Sequence, residues 1–277
     1  MLKKVIKYAI IGFLALFVFN MVYYLFSKPP NVAVIKLTGV ISTKTADDFI
    51  KNLKKAQHDP NIKAILIKIN SPGGDACASQ RIYLALKNTK KFIVALIKTI
   101  GASGAYFAAC GADKIVAYPT SIVGSIGVIF ETLNFSELAK RAGVNLFVVK
   151  TGKVKDFGNP FRKPDKQDIK MIYSVLESIY NQFLEAVSTA RHIPIDKLKS
   201  YADGSVFSGK QAKALKLIDS TKGIDAAEGF IKQNTGIKHI KTTLIENKNP
   251  FDRMVESFSF LNYLSELTYP TFKAIYQ

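Results

Sequence analysis

IKAILIKINSPGGDACASQRIYLALKNTKKFIVALI, residues 62–97, contains a complete strand–turn–helix–strand unit. Ile62–Ile69 is an almost continuous apolar run, and Asn70-Ser71-Pro72-Gly73-Gly74 ends it with a proline and two glycines. Ala76–Leu86 then carries a helical pattern, and Phe92–Ile97 is a second apolar run. Strands that are apolar along nearly their whole length are covered on both faces, and strands joined through a helix run parallel. The segment predicts an α/β fold with a largely parallel sheet.

The alternation extends both ways. Val32–Leu37 reads as an earlier strand and Ala46–Ala56 as the helix after it, with Thr43 or Thr45 available as caps. Downstream, Ala102–Ala112 reads as a helix rich in small residues, Lys114–Ala117 as a strand, Phe135–Ala142 as a helix and Leu146–Val149 as a strand. Asp165–Arg191 is a long helix whose apolar stripe runs through Ile172, Val175, Leu176, Ile179, Phe183, Leu184 and Val187. Shorter helices are expected at Pro194–Ser200 and Ser208–Leu215, and a late strand within His239–Glu246. Phe251–Tyr276, broken by Pro270, suits a core helix, an oligomer contact or an interfacial membrane helix.

Tyr8–Phe26 is uncharged and, as a helix, would reach ~28 Å, close to the thickness of a bilayer core. Lys3, Lys4 and Lys7 precede it, which places that end in the cytoplasm and the bulk of the chain across the membrane. The stretch is longer than a cleaved signal core, and Ser27-Lys28-Pro29-Pro30 lacks a small-x-small cleavage site, so a transmembrane signal anchor is expected. Tyr23, Tyr24 and Phe26 would form its aromatic belt. Residues 1–30 then form tip, anchor and linker, 31–247 a globular domain, and 248–277 an amphipathic helical tail.

The formal net charge is +18, from 39 Lys and Arg against 21 Asp and Glu. The lysines are scattered without a long basic run or a nucleic-acid motif, so no nucleic-acid partner is expected and a solvated surface attracted to membrane lipid is. Two cysteines, Cys77 and Cys110, exclude a disulfide scaffold and a cysteine zinc site, and both are expected as buried free thiols. No metal and no cofactor is expected.

Four segments could supply an acyl-transfer site. The Ser71-Pro72-Gly73-Gly74 turn can aim backbone N–H groups outward as an oxyanion hole requires, or be an ordinary glycine-rich turn. Ser103, in Gly101-Ala102-Ser103-Gly104-Ala105-Tyr106, stands at a helix start with the Gly104 N–H beside it, which suits a nucleophile or an N-cap. Ser125 lies in Gly124-Ser125-Ile126-Gly127 and could orient a base or simply turn the chain. Lys155 lies in a loop-like segment, with Lys153 as its local competitor. Each of the three histidines, His58, His192 and His239, lies in a polar stretch with no serine in a glycine-rich turn nearby, which leaves lysine as the base for a serine nucleophile.

In this order, Asn70-Ser71-Pro72-Gly73-Gly74, Ala102-Ser103-Gly104-Ala105-Tyr106, Ala112-Asp113-Lys114-Ile115-Val116-Ala117, Gly124-Ser125-Ile126-Gly127-Val128-Ile129 and Gly152-Lys153-Val154-Lys155-Asp156 resemble the signal peptide peptidase A family. Ala202–Gly209, with Ala212 and Leu217-Ile218-Asp219, is also similar. The likeness runs from about Val32 to Gly236 and includes the anchor. It resembles the short form, with one lysine after the serine, and Ala105 departs from the family's second glycine.

The resemblance implies a Clp/crotonase-like superhelix of ββα units behind one transmembrane helix. It makes Ser103 the nucleophile, Lys155 the base, Ser125 its support, and Gly74 and Gly104 the oxyanion donors. It implies a bacterial inner-membrane serine endopeptidase with a periplasmic domain, acting on remnant signal peptides as a ring- or dome-like homo-oligomer. A crotonase-like acyl-CoA enzyme and a catalytically silent peptide-binding scaffold are the alternatives; no glutamate in a glycine turn supports the former, and the presence of both Ser103 and Lys155 opposes the latter. A lysine base must be brought from about 10.4 to about 7–8, so Lys155 must be desolvated, and assembly is a means to that end.

Overall fold

The computed structural model describes residues 29–246 together with Gly12. Lys3, Lys4, Lys7, the rest of the expected anchor Tyr8–Phe26, and the tail Phe251–Tyr276 lie outside the described residues. Among the described residues no helix is long and apolar enough to cross a membrane.

The strands are β1 (Val32–Thr38), β2 (Ala64–Ser71), β3 (Phe92–Ala102), β4 (Lys114–Ala117), β5 (Ile122–Gly124), β6 (Val206–Ser208) and β7 (Thr242–Leu244). The helices are α1 (Thr43–His58), α2 (Ala76–Lys87), α3 (Gly104–Ala109), α4 (Ser136–Arg141), α5 (Lys166–Arg191), α6 (Ile195–Lys199), α7 (Gly209–Ala214) and α8 (Gly223–Thr235). One sheet runs in the order β6-β5-β3-β2-β1-β7, with β4 paired to β3 beside that path. All pairings are parallel except β5 with β6, so the fold is α/β with a mostly parallel mixed sheet.

Alternate side chains of each strand enter two cores. Ala33, Ile35, Leu37, Ile65, Ile67 and Ile93 face the layer built by α1, α2, α3 and α5. Val32, Val34, Leu66, Val94 and Leu96 face Ala227 and Ile231 of α8. Burial on both faces is why these strands read as unbroken apolar runs. β3 extends to Ala102, further than its apolar run, because its first half pairs with β4 and its last three residues with β5.

Several expectations change. The helix expected over Ala102–Ala112 shrinks to Gly104–Ala109, since Ala102 still belongs to the sheet. The α1 cap is Ser42, whose hydroxyl accepts from the Thr45 N–H, and neither threonine. Leu146–Val149 forms no strand: Phe147 and Val149 are 89% and 83% exposed, so the apolar run has no covering layer among the described residues. Cys77 is exposed while Cys110 is buried, because the apolar face of α2 is carried by Ala78, Ile82 and Leu86. Strands β5 and β6 are too short to show a period, and α8 was not read from the sequence at all.

Candidate active site

Ser103 follows the last residue of β3. The ladder pairs Ile100, Gly101 and Ala102 with Ile122, Val123 and Gly124, and the Ser103 N–H then donates to the Gly124 carbonyl at 2.8 Å. Its backbone sits at φ 52° and ψ −128°, and its side chain makes no capping hydrogen bond. The N-cap role is therefore excluded. A non-glycine residue held there costs about 1–3 kcal/mol, and the surroundings must enforce it.

They do so through α3, every residue of which is buried. The Tyr106 hydroxyl donates to the Leu217 carbonyl at 2.7 Å, and Phe107 stacks on Phe183 with centroids 4.8 Å apart. A Cβ on Gly104 would collide with Ser79 Oγ, so a bare glycine lets α3 approach α2 this closely. Burial pushes the Cys110 thiol up to about 12, which removes it as a competing nucleophile near neutral pH.

The Ser71–Gly74 turn lies against the same point. A Cβ on Gly73 would stand 2.7 Å from the Gly104 nitrogen and 2.9 Å from Ser103 Cβ. Ile41 braces the turn: its N–H donates to the Gly73 carbonyl and its carbonyl accepts from the Asp75 N–H, both at 2.8 Å. Those bonds bracket Gly74 and leave its own N–H outside the pairing. The Gly104 N–H is the first of a helix and has no intrahelical acceptor. Two backbone donors thus flank Ser103, the arrangement that stabilises an oxyanion.

Ser125 also takes a positive φ, 51°. Its N–H donates to the Ser205 carbonyl at 2.7 Å, and the Gly204 N–H donates to the Ile126 carbonyl at 3.0 Å. Gly74, Ser103, Gly104 and Ser125 line one cavity of about 570 Å³, whose walls include Phe107, Val128, Ile129, Ile179 and Phe183. The structure therefore brings four of the five expected site residues together.

Lys155 is the fifth, and it stands apart. It occupies an exposed turn outside that cavity, and among the described residues no hydrogen bond joins its Nζ to Ser103 Oγ. The turn is nonetheless anchored. Asp156 accepts from Lys150 Nζ at 2.5 Å and from Arg162 Nε at 2.8 Å, while Arg162 also grips Asp168 at the start of α5. Hydrogen bonds from Arg162 hold both carboxylates below their ordinary range, with Lys150 adding to the effect on Asp156 and the Asp165 N–H to that on Asp168.

Arg162 was not singled out from the sequence, where it is one cation among many; the acidic residues six positions to either side were its signal. Asp203 and Gly204 also line the cavity, although sequence reading gave them no role. Ile179 faces the cavity as well, and its place on the α5 stripe read simply as core. Among the described residues no group of three or more His, Cys, Asp or Glu could hold a metal ion.

Comparison with known proteins accords with this geometry. A profile of peptidase family S49 matches residues 85–238, more than half of the chain, and one of Clp protease matches residues 20–123. A provisionally named protease of Methanocaldococcus jannaschii is 33% identical over 213 residues, 75% of this chain and 68% of that protein. A provisionally named signal peptide peptidase SppA of Enterococcus faecium is 35% identical over 205 residues, which cover 73% of this chain and 59% of that protein. A provisionally named protease of Synechocystis is 33% identical over 231 residues, 82% of this chain and 83% of that protein. With its Clp protease-like α/β fold, the chain belongs to peptidase family S49.

Proposed function

We propose that the chain is a membrane-bound serine endopeptidase working through a Ser103–Lys155 dyad. The backbone of Ser103, strained and free of any capping duty between the Gly74 and Gly104 N–H groups, is the observation that carries this reading. Neutral Lys155 takes the Ser103 proton as Oγ attacks the peptide carbonyl. The oxyanion is held by the two glycine N–H groups, and the lysine ammonium returns the proton to the leaving amine. Water, deprotonated by the same lysine, then releases the acyl group. Ser125 orients the lysine.

The apolar walls of the cavity suit extended peptides with small or hydrophobic side chains before the cut, such as remnant signal peptides. The name of the Enterococcus relative points the same way. The uncharged Tyr8–Phe26 stretch would hold the enzyme in a bacterial inner membrane with its domain outside the cytoplasm.

A lysine base requires desolvation, and among the described residues none covers Lys155, which is exposed. The segment 129–165 also exposes Ile129, Leu133, Phe147 and Val149, a concentration of apolar surface that marks an interaction site. We take the missing cover to be a second copy, with Lys155 of one copy serving Ser103 of its neighbour. Reaction of the full chain with a fluorophosphonate, followed by intact mass, tests the nucleophile. One adduct that disappears in Ser103→Ala is expected; an adduct retained in Ser103→Ala sinks the assignment.

A further inference from the structure

The edge of the sheet opposite the catalytic turns carries unbalanced positive charge. β1, β2 and β3 run in register from Val32, Ala64 and Phe92, and β7 joins with Thr242 beside Val32. The segments feeding these strands therefore lie side by side. Asn31 ties them together: it accepts from the Lys63 N–H at 2.8 Å, and its own N–H donates to the Lys241 carbonyl at 2.8 Å. Helices α1, α2 and α8 each lead back to a strand start, so their C-terminal ends finish at this edge too.

Lys54, Lys63, Lys87, Lys90, Lys238 and Lys241 stand there, all exposed. Among the described residues none of Lys54, Lys63, Lys87, Lys90 and Lys238 forms an ion pair. The nearby carboxylates of Asp59 and Asp113 accept from the backbone N–H groups of Asn61 and Ile93 instead. Helix dipoles favour a cation in the last turn of a helix and account for Lys87. They do not account for Lys90 and Lys238, which lie in the loops before the strands, whereas Lys63 Nζ there donates to the Pro60 carbonyl at 3.1 Å. Lys91 shows the contrast: half-buried, its Nζ donates to the Ala56 and Asp59 carbonyls at 2.8 and 2.6 Å and so serves the fold.

The chain length beyond this edge says what faces it. Phe26 ends the uncharged stretch, and the backbone from Phe26 to Val32 spans at most about 21 Å when fully extended. If that stretch crosses a bilayer, as the proposed function holds, the lysine edge cannot leave the head-group region by more than that distance. We propose that this edge is a docking surface for anionic phospholipid head groups, which seats the domain upright on the bilayer. The Ser103 turn then stands at the far end of β3, about 30 Å further out for a strand of 11 residues. Juxtamembrane lysines add about fivefold each to such binding, and salt screens the effect.

The test uses the full chain reconstituted in vesicles of phosphatidylcholine, with or without phosphatidylglycerol, and reads lysine acetylation by mass spectrometry. At low salt, Lys54, Lys63, Lys87, Lys90 and Lys238 should label about threefold or more slowly in the anionic vesicles, and the protection should vanish at high salt. Lys44 and Lys163, away from this edge, should label equally in both. Replacing the five protected lysines by glutamine should abolish the lipid dependence of labelling at Lys241 while leaving hydrolysis of a soluble peptide unchanged. Equal labelling of the edge in both lipids overturns the docking surface. Protection that a soluble polyanion gives equally well in neutral vesicles assigns the edge to another partner and also overturns it. Flotation of the chain with neutral vesicles at high salt reports the anchor separately, so its failure is distinguishable from failure of the edge.

Discussion

The N–H of Ser103 donates to the carbonyl of Gly124 at 2.8 Å, immediately before Ser125. This bond extends the β3–β5 ladder by one step and places two serines with φ near 50° on adjoining turns. Serine does not favour that backbone, so the strain is imposed by the sheet and by the buried helix behind it.

That strain can be measured. Ser103→Gly removes the hydroxyl and the conformational penalty, whereas Ser103→Ala removes the hydroxyl alone. Both variants should lose fluorophosphonate labelling, and by urea unfolding Ser103→Gly should be about 1 kcal/mol more stable than Ser103→Ala. Equal stability of the two would mean that the left-handed backbone is not strained.

Gly104 is fixed by contact rather than by backbone angle, since its missing Cβ leaves room for Ser79 Oγ. Gly104→Ala should destabilise the fold by about 1–3 kcal/mol and lower activity by tilting the oxyanion N–H. Adding Ser79→Gly makes the room back and should recover most of the lost stability. A Gly104→Ala protein with unchanged melting and turnover would remove both claims.

How much of this could be read in advance depended on the range of the signal. The β1–α1–β2–α2–β3 unit is legible because each strand is buried on both faces and each helix is local. The Ser103, Gly74 and Gly104 cluster is legible because glycines beside a serine constrain the backbone within a few residues. Leu146–Val149 misled because an apolar run reads as a covered strand, and nothing local in it says that no layer of the described residues lies over it. The reach of Lys155 was hidden for the same reason: its surroundings depend on contacts that no local spacing encodes.

Arg162 is the residue by which that lysine is held. It joins Asp156, next to Lys155, to Asp168 at the start of α5, and a lysine has no planar fork to grip both carboxylates. Arg162→Lys should lower kcat about tenfold or more while leaving labelling of Ser103 by a small fluorophosphonate within a few-fold of the parent. Unchanged kcat would free the turn from dependence on this clamp.

Asp219 ties β4 to α5. Burial raises its affinity for protons, but the Arg191 hydrogen bond at 2.8 Å, the Ile115 N–H and the charges of Arg191 and Lys114 outweigh this and hold the carboxyl below its ordinary range. A carboxylate lowered on folding stabilises the native state above its unfolded value, about 3.9, and loses that contribution as pH falls through the folded value. Wild type should therefore exceed Asp219→Asn in urea midpoint near neutral pH, with the gap closing below about pH 4. A gap that is constant with pH would show that the ion pair is not its source.

If Lys155 serves a neighbouring Ser103, the two halves of the dyad can be supplied by different chains. Ser103→Ala keeps the lysine and Lys155→Ala keeps the serine, and each alone should be inactive. Co-expressed in equal amounts and purified as mixed assemblies, a site works where an intact serine meets an intact lysine across an interface. Random mixing makes that about one site in four, so about a quarter of wild-type activity should return. A dyad closed within one chain returns none, because every chain in the mixture lacks one member. Dissociating the assembly should abolish the activity of wild type and mixtures alike, since a lone copy then holds no lysine beside its own Ser103. Restored activity that is lost on dissociation supports the shared site. No activity in assemblies shown to contain both chains would move Lys155 back into its own protomer and require the turn beside Asp156 to swing toward Ser103.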